Sequence, residues 1–274
     1  MVETVTIPGP APLTGSFFAA TQPRAFAVLN GATGVPHRFY RHFAAWLAET
    51  QGVSCLTYDY RDFGASSRGP VRDVTASMLD WGLHDTQAAR NWLETRAKGL
   101  PLWLMGHSLG GLMLARQERT KDIARVITVC TGPVHTTDHP WPFQATVRAL
   151  WFAVGPLSTA TFGYVPKQFS GLGTDIPGPV FKQWKRWCTT RGYPAKDPLI
   201  PAAPLAAFSC PVRTVSMSDD TSVPPVAVER MTELYPGNDT EHLALTPQQF
   251  GLRKVGHVDV FRHENAKVWP ALIA

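Results

Sequence analysis

The sequence predicts an α/β protein with a mostly parallel central sheet and a mainly helical segment inserted near its middle. Three observations predict it. Through residue 131, short apolar runs alternate with stretches of helical spacing. A parallel sheet covered on both faces reads this way, because its strands are buried on both sides. The rhythm then stops: residues 132–205 hold no clear strand, many prolines and four tryptophans, Trp141, Trp151, Trp184 and Trp187. It resumes from residue 206 onward. A loop that long without structure of its own is improbable inside a compact domain. The predicted organisation is therefore a core of residues 1–131 and 206–274 around a helical cap of residues 132–205.

Composition narrows the class. Hydrophobic residues make up 44% and charged residues 17% of the 274, which fits an enzyme-sized globular core and excludes disorder. Lys plus Arg exceed Asp plus Glu by 26 to 21, and the surplus is spread along the chain, so nucleic acid is not an expected partner. Cys55, Cys130, Cys188 and Cys210 show no paired spacing. Cys55, Cys130 and Cys210 lie in or beside apolar runs and are expected to be free buried thiols, with no disulfide, a reducing compartment and a cytoplasmic location. The first residues lack a basic stretch followed by an apolar one, so no signal peptide is expected. The most apolar long window, residues 145–165, is broken by Arg148 and Pro156 and does not read as a membrane span. Oligomeric state is not legible.

The elements follow in order. Residues 4–7 and 15–19 read as short antiparallel edge strands. Residues 25–29 are a continuous apolar run, a buried strand, with the Gly-rich exit Asn30-Gly31-Ala32-Thr33-Gly34. Phe39, Phe43, Trp46 and Leu47 mark a helix over 37–49, and Gly52 closes it. Residues 53–58 form the next strand. Leu79, Leu83, Ala88, Ala89, Trp92 and Leu93 share one face of a long helix over 78–98. A strand at 102–107 and a helix from 108 to about 119 follow, then a strand at 125–131. After the cap come a strand at 212–216, a helix at 226–234, a strand near 241–245 and a closing helix near 265–273, which Pro270 kinks or shortens.

The chemistry centres on Gly106-His107-Ser108-Leu109-Gly110. An apolar strand before it and an apolar helix after it give the strand–turn–helix setting of a nucleophile elbow. Gly106 and Gly110 remove Cβ atoms where the chain turns back on itself. A serine hydroxyl is a poor nucleophile, so Ser108 needs a base and a carboxylate from elsewhere. The carboxylate is expected after the first strand beyond the cap, where Asp219 and Asp220 stand side by side. The base is expected in a loop near the C-terminus, where Gly256-His257 follows the last strand. The order Ser, Asp, His is the one this kind of elbow takes. Leu109, the residue after the serine, supplies one backbone N–H to an oxyanion hole.

These stretches resemble the α/β-hydrolase superfamily across nearly the whole chain. Gly106-His107-Ser108-Leu109-Gly110-Gly111 matches its elbow, Asp59-Tyr60-Arg61-Asp62-Phe63-Gly64-Ala65-Ser66 is similar to its Asp-x-Arg-Gly-x-Gly-x-Ser loop, and Gly256-His257 matches its catalytic-histidine loop. Thr33-Gly34-Val35-Pro36, Tyr58-Asp59-Tyr60-Arg61, Asp80-Trp81-Gly82, Phe162-Gly163-Tyr164 and residues 184–187 resemble bacterial hydrolases near the monoacylglycerol-lipase and serine-aminopeptidase branch. The resemblance implies an α/β-hydrolase fold and a Ser-His-Asp triad. It favours Asp220 as the acid, since Asp220-Thr221-Ser222-Val223-Pro224 keeps the superfamily's Asp-x-x-Val-Pro register. Asp219 stays as the alternative acid and otherwise reads as a solvated turn residue. It also implies that the second oxyanion donor is Ala32, although Asn30 and Thr33 depart from the usual His-Gly-x-Gly.

Other residues carry blander readings. His107 points away from the serine in such elbows and reads as structural. His135 and His139 are four apart, but they lie in a Pro/Thr-rich loop without a third ligand, so no metal is expected. His37 and His42 suit no shared helical face. Arg61 and Asp62 brace the loop near the elbow. Lys182, Lys185, Arg186, Arg191 and Lys196 lie among Phe181, Trp184, Trp187 and Tyr193, which reads as an amphipathic cap helix with a solvated basic face. The expected activity is hydrolysis of a carboxylic ester with an apolar acyl group held by Trp141, Trp151, Trp184 and Trp187, without a cofactor. A thioesterase or acyltransferase, whose basic cap residues read an anionic carrier, is the alternative. A hydrolase fold kept as a binding module is the non-enzyme alternative, and it has no use for all three of Ser108, Asp220 and His257. A peptidase fits poorly, because Asn30-Gly31-Ala32-Thr33-Gly34 does not match the His-Gly-Gly-Pro-Gly loop of proline-releasing relatives.

Overall fold

At one edge of the sheet, β1 (Val2–Ile7) pairs antiparallel with β2 (Leu13–Phe18). The computed structural model describes residues 1–192, 194–200, 208–235 and 239–274. β2 pairs antiparallel with β4 (Val53–Tyr58), and from there the sheet is parallel. β3 (Ala25–Asn30) lies between β4 and β5 (Leu102–His107), followed by β6 (Ile123–Val129), β9 (Val212–Met217) and β10 (Thr240–Leu245). Alternate residues of the central strands serve two apolar layers. Phe26, Val28, Leu102 and Leu104 face one layer, and Ala27, Leu29, Trp103 and Met105 face the other. Burial on both faces explains why these strands read as unbroken apolar runs.

Helices close both faces. α1 (Arg41–Thr50) buries Phe43, Ala44 and Leu47 against the second layer. α2 (Thr86–Ala97) covers the first. The long helix expected from residue 78 opens instead with a π-helical turn over Asp80–Asp85. There the Asp85 carboxylate accepts from the Arg61 Nε and backbone N–H at 2.7 and 2.8 Å, tying helix and loop together. The elbow helix α3 (Leu109–Leu112) is far shorter than expected and passes into a 3-10 turn at Leu114–Arg116. Two glycines in so short a helix each weaken it by about 1 kcal/mol relative to alanine. The buried Arg90 guanidinium takes the carbonyls of Glu118 and Arg119.

Between β6 and β9 the chain forms α4 (Phe143–Ala149), α5 (Gly155–Phe162), α6 (Lys167–Ser170) and α7 (Gly178–Thr189). Contrary to the expectation of no strand, β7 (Tyr164–Val165) and β8 (Ile176–Pro177) pair antiparallel here. Both are two residues long, below the length at which alternation can be read from sequence. Val147, Trp151, Phe181 and Trp187 join the same apolar cluster as Leu104 and Leu109, so these helices share the core's first layer. Residues 201–205 of the expected cap, 206–207 of the expected core, and Tyr193 lie outside the described residues.

After β9, α8 (Pro225–Glu229) gives way to a 3-10 turn at Arg230–Leu234. The closing helix is a 3-10 stretch at His263–Val268 followed by α9 (Trp269–Ile273). Pro270 stands in the first turn of α9, where its missing N–H costs no helical bond. All four cysteines are free and buried. Among the described residues no helix is long and apolar enough to cross a membrane.

Candidate active site

Ser108 sits between β5 and α3 with φ 54° and ψ −118°, a conformation that non-glycine residues rarely adopt. Two glycines make the turn possible. A Cβ on Gly106 would lie 2.3 Å from the Gly111 Cα, and one on Gly110 would lie 2.1 Å from the Asn30 carbonyl oxygen. Gly106 therefore relieves strand against helix, while Gly110 relieves helix against the neighbouring strand end. Leu109 is the first residue of α3, so its N–H has no intrahelical partner.

Asp220 and His257, the expected acid and base, meet beyond the C-terminal ends of β9 and β10. The His257 Nδ1 lies 2.7 Å from Asp220 Oδ2, with the carboxylate fully buried. A carboxylate only accepts, so Nδ1 carries the proton and Nε2 is left as the basic nitrogen. The other Asp220 oxygen accepts from the N–H groups of Ser222 and Val223 at 2.8 and 2.9 Å, which fixes its orientation. Asp219 has a different role. Its two oxygens accept from Val255 N–H and Gly256 N–H at 2.8 and 3.0 Å. It clamps the backbone that carries His257, while the imidazole pairs with Asp220, so Asp219 is not merely a solvated turn residue. Ser108 and His257 line one cavity, and no hydrogen bond joins Ser108 Oγ to the imidazole. Such bonds commonly tighten only around substrate.

The strand-exit loop is held by three tyrosines to which the sequence assigns no such role. Tyr58 donates to Asn30 Oδ1 at 2.7 Å, and Asn30 Nδ2 donates to Met105 O at 2.9 Å. Tyr60 donates to the Gly31 carbonyl at 2.6 Å. Tyr40 Oη accepts the Ala32 N–H at 2.8 Å. This corrects the expectation for Ala32: its N–H is already spent on Tyr40. The next amide, that of Thr33, has no acceptor among the described residues, and Thr33 lies on the cavity wall. Burial pushes all three phenols well above their ordinary pKa, so they stay protonated. Two tyrosines at alternate positions, 58 and 60, on the end of an otherwise apolar strand were the available hint.

His107 is fully buried behind His257, with ring centroids 5.0 Å apart. Its Nε2 lies 3.1 Å from the His257 carbonyl and its Nδ1 2.8 Å from Tyr40 Oη. Burial holds its pKa well below the ordinary imidazole value, so the ring is neutral. The carbonyl can only accept, so Nε2 donates to it and Nδ1 accepts from the Tyr40 hydroxyl. Ala32, Tyr40, His107 and the His257 backbone thus form one continuous chain of hydrogen bonds. The structural reading of His107 gains a definite content: it links the strand-exit loop to the base loop.

The cavity over Ser108 measures about 450 Å³, within the range of small-molecule sites. Its wall is mostly apolar and includes Val147, Leu150, Trp151, Trp184 and Trp187 from the inserted segment. Trp141 does not belong to it. It is 77% exposed, between Pro140 and Pro142 just before α4, and faces away from the core. Lys182 and Arg186 on α7 are exposed, as the basic-face reading expected. His135 and His139 do not converge: His135 Nδ1 engages Thr137, and His139 Nδ1 engages the Thr221 carbonyl. Among the described residues, the grouping of metal-type ligands is Cys130, Asp220 and His257. There burial keeps the Cys130 thiol protonated and Asp220 is already paired with His257. Arg61 braces its loop through Asp80 and Asp85, as expected.

The whole chain can now be set beside known proteins. Residues 26–269 match the alpha/beta hydrolase family, and the chain belongs to it. A curated relative, the polyketide transferase grgF of a Penicillium species, is 31% identical over 134 residues. That match spans 47% of this chain and 43% of the relative, less than half the length of either. Among solved structures, a soluble variant of the monoglyceride lipase of Saccharomyces cerevisiae, bound to a substrate analogue, superposes with a TM-score of 0.67. It is 16% identical and covers 100% of this chain and 94% of its own. A thermophilic esterase of Thermogutta terrifontis gives 0.55 at 17% identity, over 98% and 96%. At such identities the likeness concerns the fold.

Proposed function

We propose that this chain is a serine hydrolase that cleaves a carboxylic ester with an apolar acyl group. The observation that carries the reading is the formed Asp220–His257 pair opening, together with Ser108, onto one mostly apolar cavity. His257 Nε2 takes the Ser108 proton as Oγ bonds to the ester carbonyl carbon. The oxyanion is held by the N–H groups of Leu109 and Thr33. Collapse breaks the carbon–oxygen bond to the alcohol, which leaves with the proton from His257. Water then attacks the acyl-enzyme with the same base, and the acid departs. Asp220 holds the tautomer and stabilises the imidazolium. Residues 132–205 act as the cap, and Trp151, Trp184 and Trp187 as its apolar wall, which excludes water from the reacting ester.

The test is a series of p-nitrophenyl esters of increasing acyl length, with wild type beside Ser108→Ala. The expected result is an optimum at an apolar acyl chain and loss of turnover in the variant. Turnover of only very short, polar acyl groups would remove the apolar assignment. A second reading, acyl transfer to or from a thioester, is supported by the name of the curated relative. It predicts that charge reversal at Lys185 or Arg186 raises KM for a coenzyme A thioester but not for a neutral ester.

A further inference from the structure

The cavity wall carries a polar acceptor that the proposed mechanism leaves unused. His139 is only 6% exposed, and its ring stands on the cavity wall. Its Nδ1 lies 2.9 Å from the Thr221 carbonyl oxygen, an atom that can only accept. Nδ1 therefore carries the proton. Burial lowers the pKa of the ring and so favours its neutral form. In that form Nε2 is a lone-pair acceptor, and it has no partner among the described residues. Of the neighbouring polar groups of the wall, the Trp151 indole N–H is buried without a partner among the described residues, but it is a donor. Others are committed: Ser170 Oγ shares its one proton between the Thr174 and Lys167 carbonyls, Thr33 Oγ1 turns to the Met78 sulfur, and the Trp187 indole N–H goes to Asp197. His139 thus offers an uncommitted acceptor in an apolar wall.

We infer that His139 is a recognition point for a substrate hydroxyl, so that the ester favoured by this cavity carries one. The inference rests on the ester-hydrolase reading above and names its substrate class more closely. The position suits the role, because Thr221 directly follows Asp220 and His139 is therefore anchored to the loop that holds the acid. A hydroxyl fits this acceptor better than an ammonium. Among the described residues the wall carries no carboxylate, and an unpaired cation in an apolar cavity is costly. A substrate without the hydroxyl leaves Nε2 desolvated and unpaired, which penalises its binding. The hydroxyl can belong to the acyl chain or to the alcohol, and the two sources are separable.

The test compares kcat/KM for two matched pairs of esters. Ethyl octanoate against ethyl 3-hydroxyoctanoate places the hydroxyl on the acyl side. Ethyl laurate against 1-lauroylglycerol places it on the alcohol side. In one pair, wild type is expected to favour the hydroxylated ester by about tenfold or more, mainly through KM. The ratio should fall towards one in His139→Phe, which keeps a ring against Phe143 but has no acceptor. It should persist in His139→Gln, whose amide can donate to Thr221 and still accept from substrate. Equal rates within both wild-type pairs overturn the inference, as does a ratio unchanged in His139→Phe. Should that variant not fold, a wild-type preference that His139→Gln fails to keep overturns it too. Hydrolysis of plain esters without a hydroxyl preference leaves the ester-hydrolase reading standing. Inertness toward all four esters, with no fluorophosphonate labelling, sinks that reading and this one with it.

Discussion

The two loops that flank Ser108 are fastened by different chemistry. The strand-exit loop at residues 30–33 is held by neutral, buried groups: Tyr58 on Asn30, Tyr60 on Gly31, Tyr40 on Ala32. The base loop at residues 255–257 is held by carboxylates: Asp219 on two backbone N–H groups, Asp220 on the imidazole. In the proposed reaction the first loop presents an amide to an oxyanion, which needs a fixed shape and no change of charge. The second must carry a cation during reaction, so its anchors are anionic. His107 joins the two through Tyr40 and the His257 carbonyl. In the proposed reaction, preorganised donors on one side and a charge-stabilised base on the other divide the electrostatic work of acyl transfer.

Breaking the base side should have the larger effect. Asp220→Asn removes the anion that selects the tautomer, and kcat should fall by about 10⁴ while the fold persists. Asp219→Ala keeps that anion but frees the base-loop backbone, and a displacement of His257 by about an ångström should cost about a hundredfold in kcat. Steady-state kinetics on one ester decide the ranking. An Asp219 variant more damaged than the Asp220 variant would reverse the roles of the two carboxylates.

Breaking the neutral side should show first as lost stability. Tyr40→Phe leaves the Ala32 N–H and His107 Nδ1 buried without partners, and denaturant unfolding should record a loss of about 2 kcal/mol or more. The smallest effect concerns pH. Folded His107 resists protonation, while the unfolded chain takes up a proton near the ordinary value of 6.5. Below that pH the unfolded state binds more protons, so stability falls as pH falls, at up to about 1.4 kcal/mol per pH unit from this residue. Urea unfolding at about pH 7 and about pH 5.5, either side of that value, should show a shallower decline in His107→Gln than in wild type. An identical slope would mean that His107 is not a neutral link between the loops.

Much of this was legible in sequence. The parallel strands announced themselves as apolar runs, and the serine, acid and histidine stood at strand ends in a recognisable order. The adjacent carboxylates could be ranked only by register, because which of two neighbouring side chains faces the histidine is a matter of backbone geometry. Ala32 differs from expectation for a similar reason: the departure at Asn30 was visible, but not that Tyr40, eight residues on, would take the Ala32 N–H. The elbow helix is shorter than its pattern: Leu112, Met113, Leu114 and Ala115 have helical apolar spacing, but the α-helix ends at Leu112 and the chain passes into a 3-10 turn at Leu114–Arg116. Trp141 looked like a wall residue by composition alone, but it stands 77% exposed and outside the cavity wall.

The central claim is that Ser108 is an activated nucleophile served by His257 and Asp220. Its most direct test is reaction with a fluorophosphonate probe, followed by peptide mass spectrometry. A single adduct on Ser108 is expected, with no adduct in Ser108→Ala and labelling slowed by orders of magnitude in His257→Ala and Asp220→Asn. A wild-type chain that folds and yet takes no label, or one labelled at the same rate without His257, would contradict it.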